Sequence, residues 1–293
     1  MSIKESFRRL VQELLPLYSE RDATQISDMV FEHVTGLSRL DRITKSGIFL
    51  TTWQQQKLDE MGKRLLHHEP AQYVIGEAWF YRLKFKVNKN VLIPRPETEE
   101  LVTWIIEDIK KEYPLSEEDE KKPLAILDIG TGSGCIAIAL KNSMPAWQVL
   151  AIDKSKDALD MAKGNALDNQ ANISFYEMDI MENKHTSSLP QADIIVSNPP
   201  YIPFKERTEL PAMVKDYEPG MALFVPDDDP LYFYKAIVEL SEAKLAEGGR
   251  LYFETHQNYA ACVAELLKEA HFINIILKKD ISGNDRMVRG EKS

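Results

Sequence analysis

The first 70 residues carry apolar side chains at spacings of three and four, which is the period of amphipathic helices. One apolar run ends at Pro16, because proline cannot continue a helix. A second run is predicted to begin at a cap formed by Asp22 and to end at Gly36, and Thr51 or Thr52 can cap a third. The pattern predicts a small helical bundle without a catalytic signature.

Between residues 78 and 93 the period changes from helical to alternating. Apolar and basic side chains alternate from Tyr81 to Val87, which predicts a strand with one apolar and one basic face. Residues 88–90 are predicted to turn the chain back into a second strand over 91–93. The expected hairpin links the helical part to the rest of the chain.

The proline-rich and acidic segment 94–100 precedes an apolar helical pattern over 101–109. Proline suits the first turn of a helix and acidic side chains suit its positive end, so a helix is predicted to begin here. The polar, proline-bounded residues 113–123 predict an exposed loop.

From residue 124 onward, predicted strands and helices alternate. Strands are predicted over 124–129, 148–152, 173–176, 193–197, 250–254, 273–278 and 286–289. Helices are predicted over 133–141, 158–167, 231–245 and 259–269. Repeated strand–helix units of this kind predict a parallel sheet covered on both faces.

The composition is that of a globular protein, with 44% hydrophobic and 28% charged side chains in 293 residues. This length suits about two domains. The N-terminal residues lack the apolar segment of a secretory signal, and the apolar stretches are shorter than a membrane-spanning helix. Cys135 and Cys262 predict neither a disulfide framework nor a metal-binding pair. We therefore expect a cytoplasmic protein.

The net charge of −10 is distributed unevenly. Residues 1–75 carry ten basic and ten acidic side chains, residues 76–95 carry five basic and one acidic, and residues 96–293 hold the remaining −14. This excess of acidic side chains over residues 96–293 argues against a nucleic-acid-binding protein, whose main ligand is a phosphate backbone. A partner could still contact the small basic segment.

A glycine-rich loop follows the first strand of the alternating region. Glycines at a strand-to-helix turn adopt positive φ and let the backbone approach a ligand that faces the next helix. The third glycine comes one residue earlier than in a dinucleotide fingerprint, and the lysine of a Walker loop is missing from the sequence. The spacing resembles the S-adenosylmethionine loop of class I methyltransferases. The loop residues predicted to bind this cofactor are Asp128, Gly130, Thr131, Gly132, Ser133 and Gly134.

The next strand ends at Asp153, 19 residues after Gly134. In nucleoside-binding α/β folds, a carboxylate at this place accepts hydrogen bonds from the ribose hydroxyls. Asp153 is therefore predicted to bind the cofactor's ribose. Asp128 is predicted to order either the loop or the cofactor's amino group.

The fourth predicted strand leads into Asn198-Pro199-Pro200-Tyr201. Ligands of open α/β sheets bind at the carboxyl ends of strands, so this segment is expected to face the glycine loop. An amide or ring NH2 is a poor nucleophile, because its lone pair is delocalised. The Asn198 side-chain oxygen and the Pro199 carbonyl could each accept one N–H bond and aim that lone pair at a methyl group. Tyr201 is predicted to pack on the planar acceptor, and no strong base is required.

Together these motifs resemble the release factor glutamine methyltransferases. The resemblance covers most of the chain, through residues 69–76, 92–99, 128–134, 198–201, 217–219 and 280–286. The most distinctive part is residues 92–99, Leu-Ile-Pro-Arg-Pro-Glu-Thr-Glu, because Asn-Pro-Pro-Tyr is shared with adenine-N6 methyltransferases.

The resemblance implies N5-methylation of the glutamine in the Gly-Gly-Gln motif of class I peptide chain release factors, with S-adenosylmethionine as donor. It implies an α/β fold, with a seven-stranded class I methyltransferase (Rossmann-like) sheet and a small N-terminal helical bundle joined by a β-hairpin. Residues 1–74 would recognise the substrate, 75–95 would form the hairpin linker and 96–293 the catalytic domain. The residues that would hold the glutamine amide are Asn198, Pro199, Pro200 and Tyr201, with Asn198 also at the cofactor.

Asp179 and Ile180 follow the third strand, where family members often have an acid and a tryptophan beside the adenine. Ile180 would pack on the adenine rather than stack on it. The acidic residues 227–229 are interpreted as charges before a helix, and no metal site is predicted. We expect a monomer that binds neither nucleic acid nor membrane.

Two other functions stay open. An adenine-N6 nucleic-acid methyltransferase would use the same acceptor chemistry, but it would need a broad basic surface that the acidic body does not supply. A non-catalytic binding module would leave Asp153 and residues 198–201 without a role.

Overall fold

The computed structural model describes residues 1–44, 47–112, 123–182 and 188–293. The chain divides into two compact units. The first comprises Met1–Glu77 and Pro211–Tyr217, and the second comprises Ala78–Leu210 and Glu218–Ser293. The functional boundaries expected after residues 74 and 95 stay a prediction, and the loop expected over 113–123 lies outside the described residues up to 122.

The described residues form helices and strands over the following bounds. The helices are α1 (Ile3–Leu14), α2 (Glu20–Thr35), α3 (Arg39–Thr44), α4 (Thr52–Leu66), α5 (Ala71–Ile75), α6 (Pro96–Glu112), α7 (Cys135–Ser143), α8 (Lys156–Asp168), α9 (Ala212–Lys215), α10 (Tyr232–Lys244) and α11 (Ala260–Glu269). The strands are β1 (Glu77–Phe80), β2 (Leu83–Lys86), β3 (Ala125–Ile129), β4 (Gln148–Asp153), β5 (Ser174–Glu177), β6 (Ala192–Ser197), β7 (Ile202–Pro203), β8 (Phe224–Val225), β9 (Leu245–Glu254), β10 (Ile273–Lys279) and β11 (Asp285–Glu291).

The first unit is the predicted helical bundle, with fully buried side chains such as Leu14, Phe31 and Leu65 in its core. Two of its predicted helix ends are confirmed. The Thr51 side chain caps α4, and Gly36 ends α2 in the left-handed conformation. These local signals are reliable because each satisfies backbone groups that a helix end leaves unpaired.

The predicted cap of α2 at Asp22 is wrong. Ser19 is the cap, and its hydroxyl oxygen accepts a hydrogen bond of 3.2 Å from the Asp22 backbone N–H. The Ser19 hydroxyl in turn donates to the Asp22 carboxylate over 2.7 Å. Asp22 therefore takes part in the cap as the third residue of α2, and the cap itself lies three residues earlier in the chain than predicted.

The hairpin exists, but it does not reverse where predicted: residues 88–90 do form a turn, in which the Val91 N–H donates to the Asn88 carbonyl over 3.1 Å, but the predicted second strand over 91–93 is wrong. Strands β1 and β2 pair with each other, and the chain reverses at Tyr81 and Arg82. Both residues have positive φ, +50° and +63°. Two-residue hairpin turns need this backbone conformation and usually take it with Asn or Gly. Tyrosine and arginine give no such signal, so the alternating pattern predicts one continuous strand where the structure has a turn.

The second unit contains a large sheet, which has seven strands within the described ranges, in the order β10-β11-β9-β6-β3-β4-β5. Strands β3, β4, β5, β6 and β9 pair in parallel, as predicted. Strand β11 is antiparallel to both of its neighbours, so the parallel pairing predicted from the repeated strand–helix units does not extend to the last two strands. Only a short turn joins β10 to β11, and a parallel pair would need a long crossover.

The chain order reverses at β3, which lies between β4 and β6. Strands β4 and β5 lie on one side of it, and β6 and β9 on the other. Open α/β sheets bind ligands at such a switch point, beyond the carboxyl ends of the strands. Across this edge Ile129 pairs with Ser197, and Ser197 pairs with Phe253. No helix in the described residues is both long and apolar enough to cross a membrane.

Candidate active site

The glycine loop turns sharply between β3 and α7. Gly130, Gly132 and Gly134 all have positive φ, of +72°, +56° and +82°. The N–H groups of Gly130 and Thr131 donate to the carbonyl of Ile152 on β4, over 2.9 and 3.0 Å. The loop is therefore folded back over the end of the neighbouring strand.

Asp153 at the end of β4 is held by backbone amides. One carboxylate oxygen accepts a hydrogen bond of 2.8 Å from the Gly132 N–H, and the other accepts a hydrogen bond of 2.8 Å from the Ser155 N–H. Burial raises the pKa of Asp153, while these backbone hydrogen bonds lower it. Each oxygen keeps a further lone pair, so the carboxylate is oriented and can still accept ribose hydroxyls.

Four of the predicted loop residues do not line the cavity of the site. Asp128, Thr131 and Ser133 are buried, and Gly134 packs so closely that an added Cβ would lie 3.2 Å from Ala162 Cβ. The Thr131 hydroxyl donates a hydrogen bond of 2.6 Å to one carboxylate oxygen of Asp128. The other carboxylate oxygen of Asp128 has no hydrogen-bond partner among the described residues. Burial raises the pKa of Asp128 to about 7. Of the two roles considered for Asp128, these contacts favour ordering of the loop.

The remaining predicted residues, except Tyr201, line one cavity of about 510 Å³ at the carboxyl edge of the sheet. This volume is within the range of small-molecule sites. The predicted residues on its wall are Gly130, Gly132, Asp153, Asp179, Ile180, Asn198, Pro199 and Pro200. An added Cβ at Gly130 or Gly132 would meet no heavy atom within 4 Å, so the glycines leave space at the wall that a side chain would fill. The cavity thus fits a nucleoside-type cofactor.

Asp179 and Ile180 form another part of the cavity wall. Asp179 pairs with Lys154 over 2.6 Å and also accepts from the Met181 N–H over 3.0 Å. Burial opposes ionisation of Asp179, but the Lys154 hydrogen bond and charge outweigh it and lower the pKa. Ile180 packs against the core of the second unit, so its position is fixed.

Asn198 follows the end of β6, the strand next to β3, from which the glycine loop leaves. Its side-chain NH2 donates to the Thr98 hydroxyl oxygen over 3.2 Å, and the Thr98 hydroxyl donates to the Glu254 carboxylate over 2.6 Å. Thr98 and Glu254 are each only 2% exposed. Burial raises the pKa of Glu254 to about 7, against the Thr98 hydrogen bond and the nearby Arg286, which lower it.

Tyr201 lies beside the cavity wall rather than on it. Its half-buried ring packs on the core, with its centroid 5.7 Å from that of His256 and the two planes at 53°. Burial raises the pKa of the Tyr201 hydroxyl, so the ring stays neutral. The predicted packing of this ring on the acceptor stays a prediction.

Known proteins resemble this chain over nearly its whole length. A model of the PrmC N-terminal domain matches residues 5–76, and a model of the methyltransferase small domain matches residues 114–215. The release factor glutamine methyltransferase of Flavobacterium psychrophilum is 42% identical over 289 residues, 99% of each chain. That of Bacteroides thetaiotaomicron is 39% identical, over 96% of this chain and 97% of the relative.

The chain belongs to the release factor glutamine methyltransferase family. Its enzyme class, a methyltransferase dependent on S-adenosylmethionine, and the predicted fold class are confirmed. Among solved structures, the hMettl16 catalytic domain in complex with an RNA hairpin has a TM-score of 0.55 at 18% identity, over 73% of this chain and 76% of that one. RsmC of T. thermophilus in complex with AdoMet and guanosine has a TM-score of 0.50 at 17% identity, over 74% and 50%. These two likenesses show the fold.

In this family member, residues 92–99 tie separate segments together. Arg95 pairs with Glu218 over 2.5 Å, and the Ile93 N–H donates to the same carboxylate over 3.2 Å. The Glu99 carboxylate accepts a hydrogen bond of 2.9 Å from the Tyr81 backbone N–H in the hairpin turn. Together with the Thr98 contact, these bonds join the hairpin, β9 and the segment after Tyr217 to the start of α6.

Several cavity residues of the family member were not predicted. They come from the segment between β2 and α6, the segment after Glu218 and the start of α10. These residues are Asn90, Val91, Leu92, Pro219, Met221, Ala222, Phe224, Tyr232 and Phe233. Residues 217–219 belong to the resemblance, but the sequence predicts no role for them. Thr98 and Glu254 were also missed. Glu254 is a charged residue directly after the apolar run Leu251–Phe253, at the end of a predicted strand, and this is a signal that could have pointed to it.

Two of the acidic residues 227–229, Asp227 and Asp229, bind protein groups. Asp227 accepts 2.6 Å from the Lys205 N–H, and Asp229 pairs with Lys235 over 2.8 Å and accepts from the Leu231 N–H. Within the described residues, no cluster of three His, Cys, Asp or Glu side chains could hold a metal ion.

Proposed function

We propose that this enzyme transfers a methyl group from S-adenosylmethionine to N5 of the glutamine in the Gly-Gly-Gln motif of class I peptide chain release factors. The observation that carries the proposal is the near full-length identity to enzymes named release factor glutamine methyltransferase. The position of Asn198 on the wall of the same cavity as Gly130 and Gly132 supports it.

The donor would be held by the residues that form the loop side of the cavity. Gly130 and Gly132 let the donor approach the backbone, and the oriented Asp153 carboxylate accepts hydroxyl hydrogen bonds. Ile180 offers an apolar contact, and Asp179 lies next to it. When bound, the donor supplies an electrophilic methyl group on a sulfonium.

The acceptor nitrogen would be prepared by Asn198 and Pro199. The Asn198 Oδ1 and the Pro199 carbonyl each accept one N–H of the glutamine carboxamide. Pro200 has no N–H to compete for neighbouring carbonyls, and the two rings stiffen the bend. A nitrogen held by both N–H bonds can become pyramidal and present its lone pair, and such positioning acts mainly in the transition state. Tyr201 would pack near the planar group.

The finer statements about partners are also proposals. The helical N-terminal unit would help to hold the release factor, and the enzyme would act as a cytoplasmic monomer without binding nucleic acid. The acidic residues 96–293, at −14, support the last point.

The test is methyl transfer followed by mass spectrometry of peptides. The enzyme is incubated with S-adenosylmethionine and either a class I release factor or duplex DNA that contains adenine. We expect one methyl group on the glutamine of Gly-Gly-Gln and none on DNA. Methylation of adenine, or an unmodified release factor with an enzyme that binds the donor, would overturn the proposal.

A further inference from the structure

The end of β6 and the end of β9 leave the sheet side by side. Ser197 pairs with Phe253 in parallel register, so the next residues, Asn198 and Glu254, emerge at the same edge. Thr98 in the first turn of α6 lies between their side chains. Three separate parts of the chain therefore meet in one hydrogen-bonded row.

The chemistry of the row fixes its direction. Above its pKa of about 7, Glu254 is an ionised carboxylate that can only accept hydrogen bonds, so the Thr98 hydroxyl donates its single proton to Glu254. The Thr98 oxygen can then act only as an acceptor toward Asn198, which must present its NH2 there. The other end of the same amide, Oδ1, is thereby directed away from Thr98.

This direction matters because an asparagine amide has two ends of similar shape and opposite hydrogen-bonding character. If the amide rotated by half a turn, an NH2 would face the acceptor N–H instead of an oxygen. That arrangement would repel the group to be methylated.

We propose that Thr98 and Glu254 are positioning residues that fix the Asn198 amide with its oxygen toward the acceptor carboxamide. This inference rests on the proposed function, since it concerns the acceptor role of Asn198. Neither Thr98 nor Glu254 lines the cavity in the described part of the chain, so both act through Asn198. It also gives the threonine of the distinctive segment 92–99 a chemical role.

The test compares Thr98→Val, which keeps the shape but removes the hydroxyl, with Thr98→Ser, which keeps the hydroxyl. We expect Thr98→Val to lower kcat for the release factor about tenfold, the size of one lost hydrogen bond, with KM for the release factor and Kd for S-adenosylmethionine changed less than about threefold. Thr98→Ser should keep kcat within about threefold of wild type. A merely structural role would not separate kcat from KM in this way.

A double-mutant cycle gives the second readout. If Thr98 acts through Asn198, Thr98→Val should change the residual rate of Asn198→Ala by less than about twofold. Calorimetric binding of S-adenosylmethionine shows that each variant is folded, and Thr98→Ala replaces Thr98→Val if the latter does not fold.

Wild-type kcat in Thr98→Val, or effects of Thr98→Val and Asn198→Ala that multiply, would overturn the inference. The proposed function is judged separately, on the wild-type enzyme. A wild-type enzyme that fails to methylate the release factor refutes the function, whereas an active wild type with an equally active Thr98→Val refutes only the positioning role.

Discussion

On the cofactor side of the cavity, backbone amides close in sequence hold Asp153, whereas on the acceptor side, side chains from distant parts of the chain hold Asn198. The Gly132 N–H that binds Asp153 is 21 residues away, and the Ser155 N–H is two. Asn198 binds Thr98, which is 100 residues away in the sequence, and Thr98 binds Glu254, which is 156 residues away from Thr98. One side is a local strand–turn–helix structure, and the other depends on the assembled sheet.

The difference implies that the two sides control different quantities. The cofactor side contacts a ligand that is bound before and during the reaction, so changes there should appear mainly in the donor Kd. The acceptor side aligns the nitrogen in the transition state, so changes there should appear mainly in kcat. The following variants test this separation.

The largest effect is expected for Asn198→Ala. Turnover should fall by about 10² or more, the scale of a lost transition-state contact, while the Kd for S-adenosylmethionine changes little. Steady-state methyl transfer and calorimetry measure the two quantities. Asn258→Ala, at an exposed asparagine, is the matched control and should resemble wild type. Near-wild-type turnover of Asn198→Ala would reject the assigned role.

Asp153→Ala should show the opposite behaviour. Removing a carboxylate that orders the loop and accepts hydroxyl hydrogen bonds should weaken donor binding about 30-fold, by the usual strength of hydrogen bonds to charged groups. The kcat at saturating donor should change much less. Asp157→Ala, at an exposed position in the first turn of α8, is the control. A variant with unchanged Kd and a large loss of kcat would erase the proposed separation.

Asp128→Asn should stabilise the protein without ligand. Burial raises the pKa of Asp128 from about 4 in the unfolded chain to about 7 in the folded protein. The folded state therefore binds a proton more tightly between these values, and the free energy of unfolding falls as pH rises from 4 to 7. Asparagine cannot ionise, so the variant should be more stable by up to about 4 kcal/mol at pH 8, with the gain vanishing toward pH 4.

Urea unfolding at a series of pH values measures this gain. Asp160→Asn, at an exposed residue of α8, should show no comparable pH-dependent gain. Equal stability of wild type and Asp128→Asn at pH 8 would show that the buried carboxylate costs nothing in the folded state.

The smallest effect is expected for Ile180→Ala. Loss of part of one apolar contact should weaken donor binding about fourfold, with kcat unchanged. Calorimetry detects a change of this size. No loss of affinity would mean that Ile180 does not touch the bound donor.

The same contrast explains what could be predicted from the sequence. The glycine loop, Asp153 and the strand ends were found because their signals lie within one supersecondary structure. The turn at Tyr81 and Arg82 was missed because its positive φ values are carried by residues that do not usually adopt them. Thr98 and Glu254 were missed because their meeting depends on the register of β6 against β9, which no local pattern specifies.

The most direct test of the account is a structure of the enzyme with S-adenosylhomocysteine, the demethylated form of the donor, and a peptide that contains Gly-Gly-Gln. The account predicts that the glutamine side-chain nitrogen lies within hydrogen-bonding distance of both Asn198 Oδ1 and the Pro199 carbonyl oxygen, with its free face toward the sulfur. A glutamine bound elsewhere, or an Asn198 amide whose nitrogen faces the glutamine N–H groups, would contradict it.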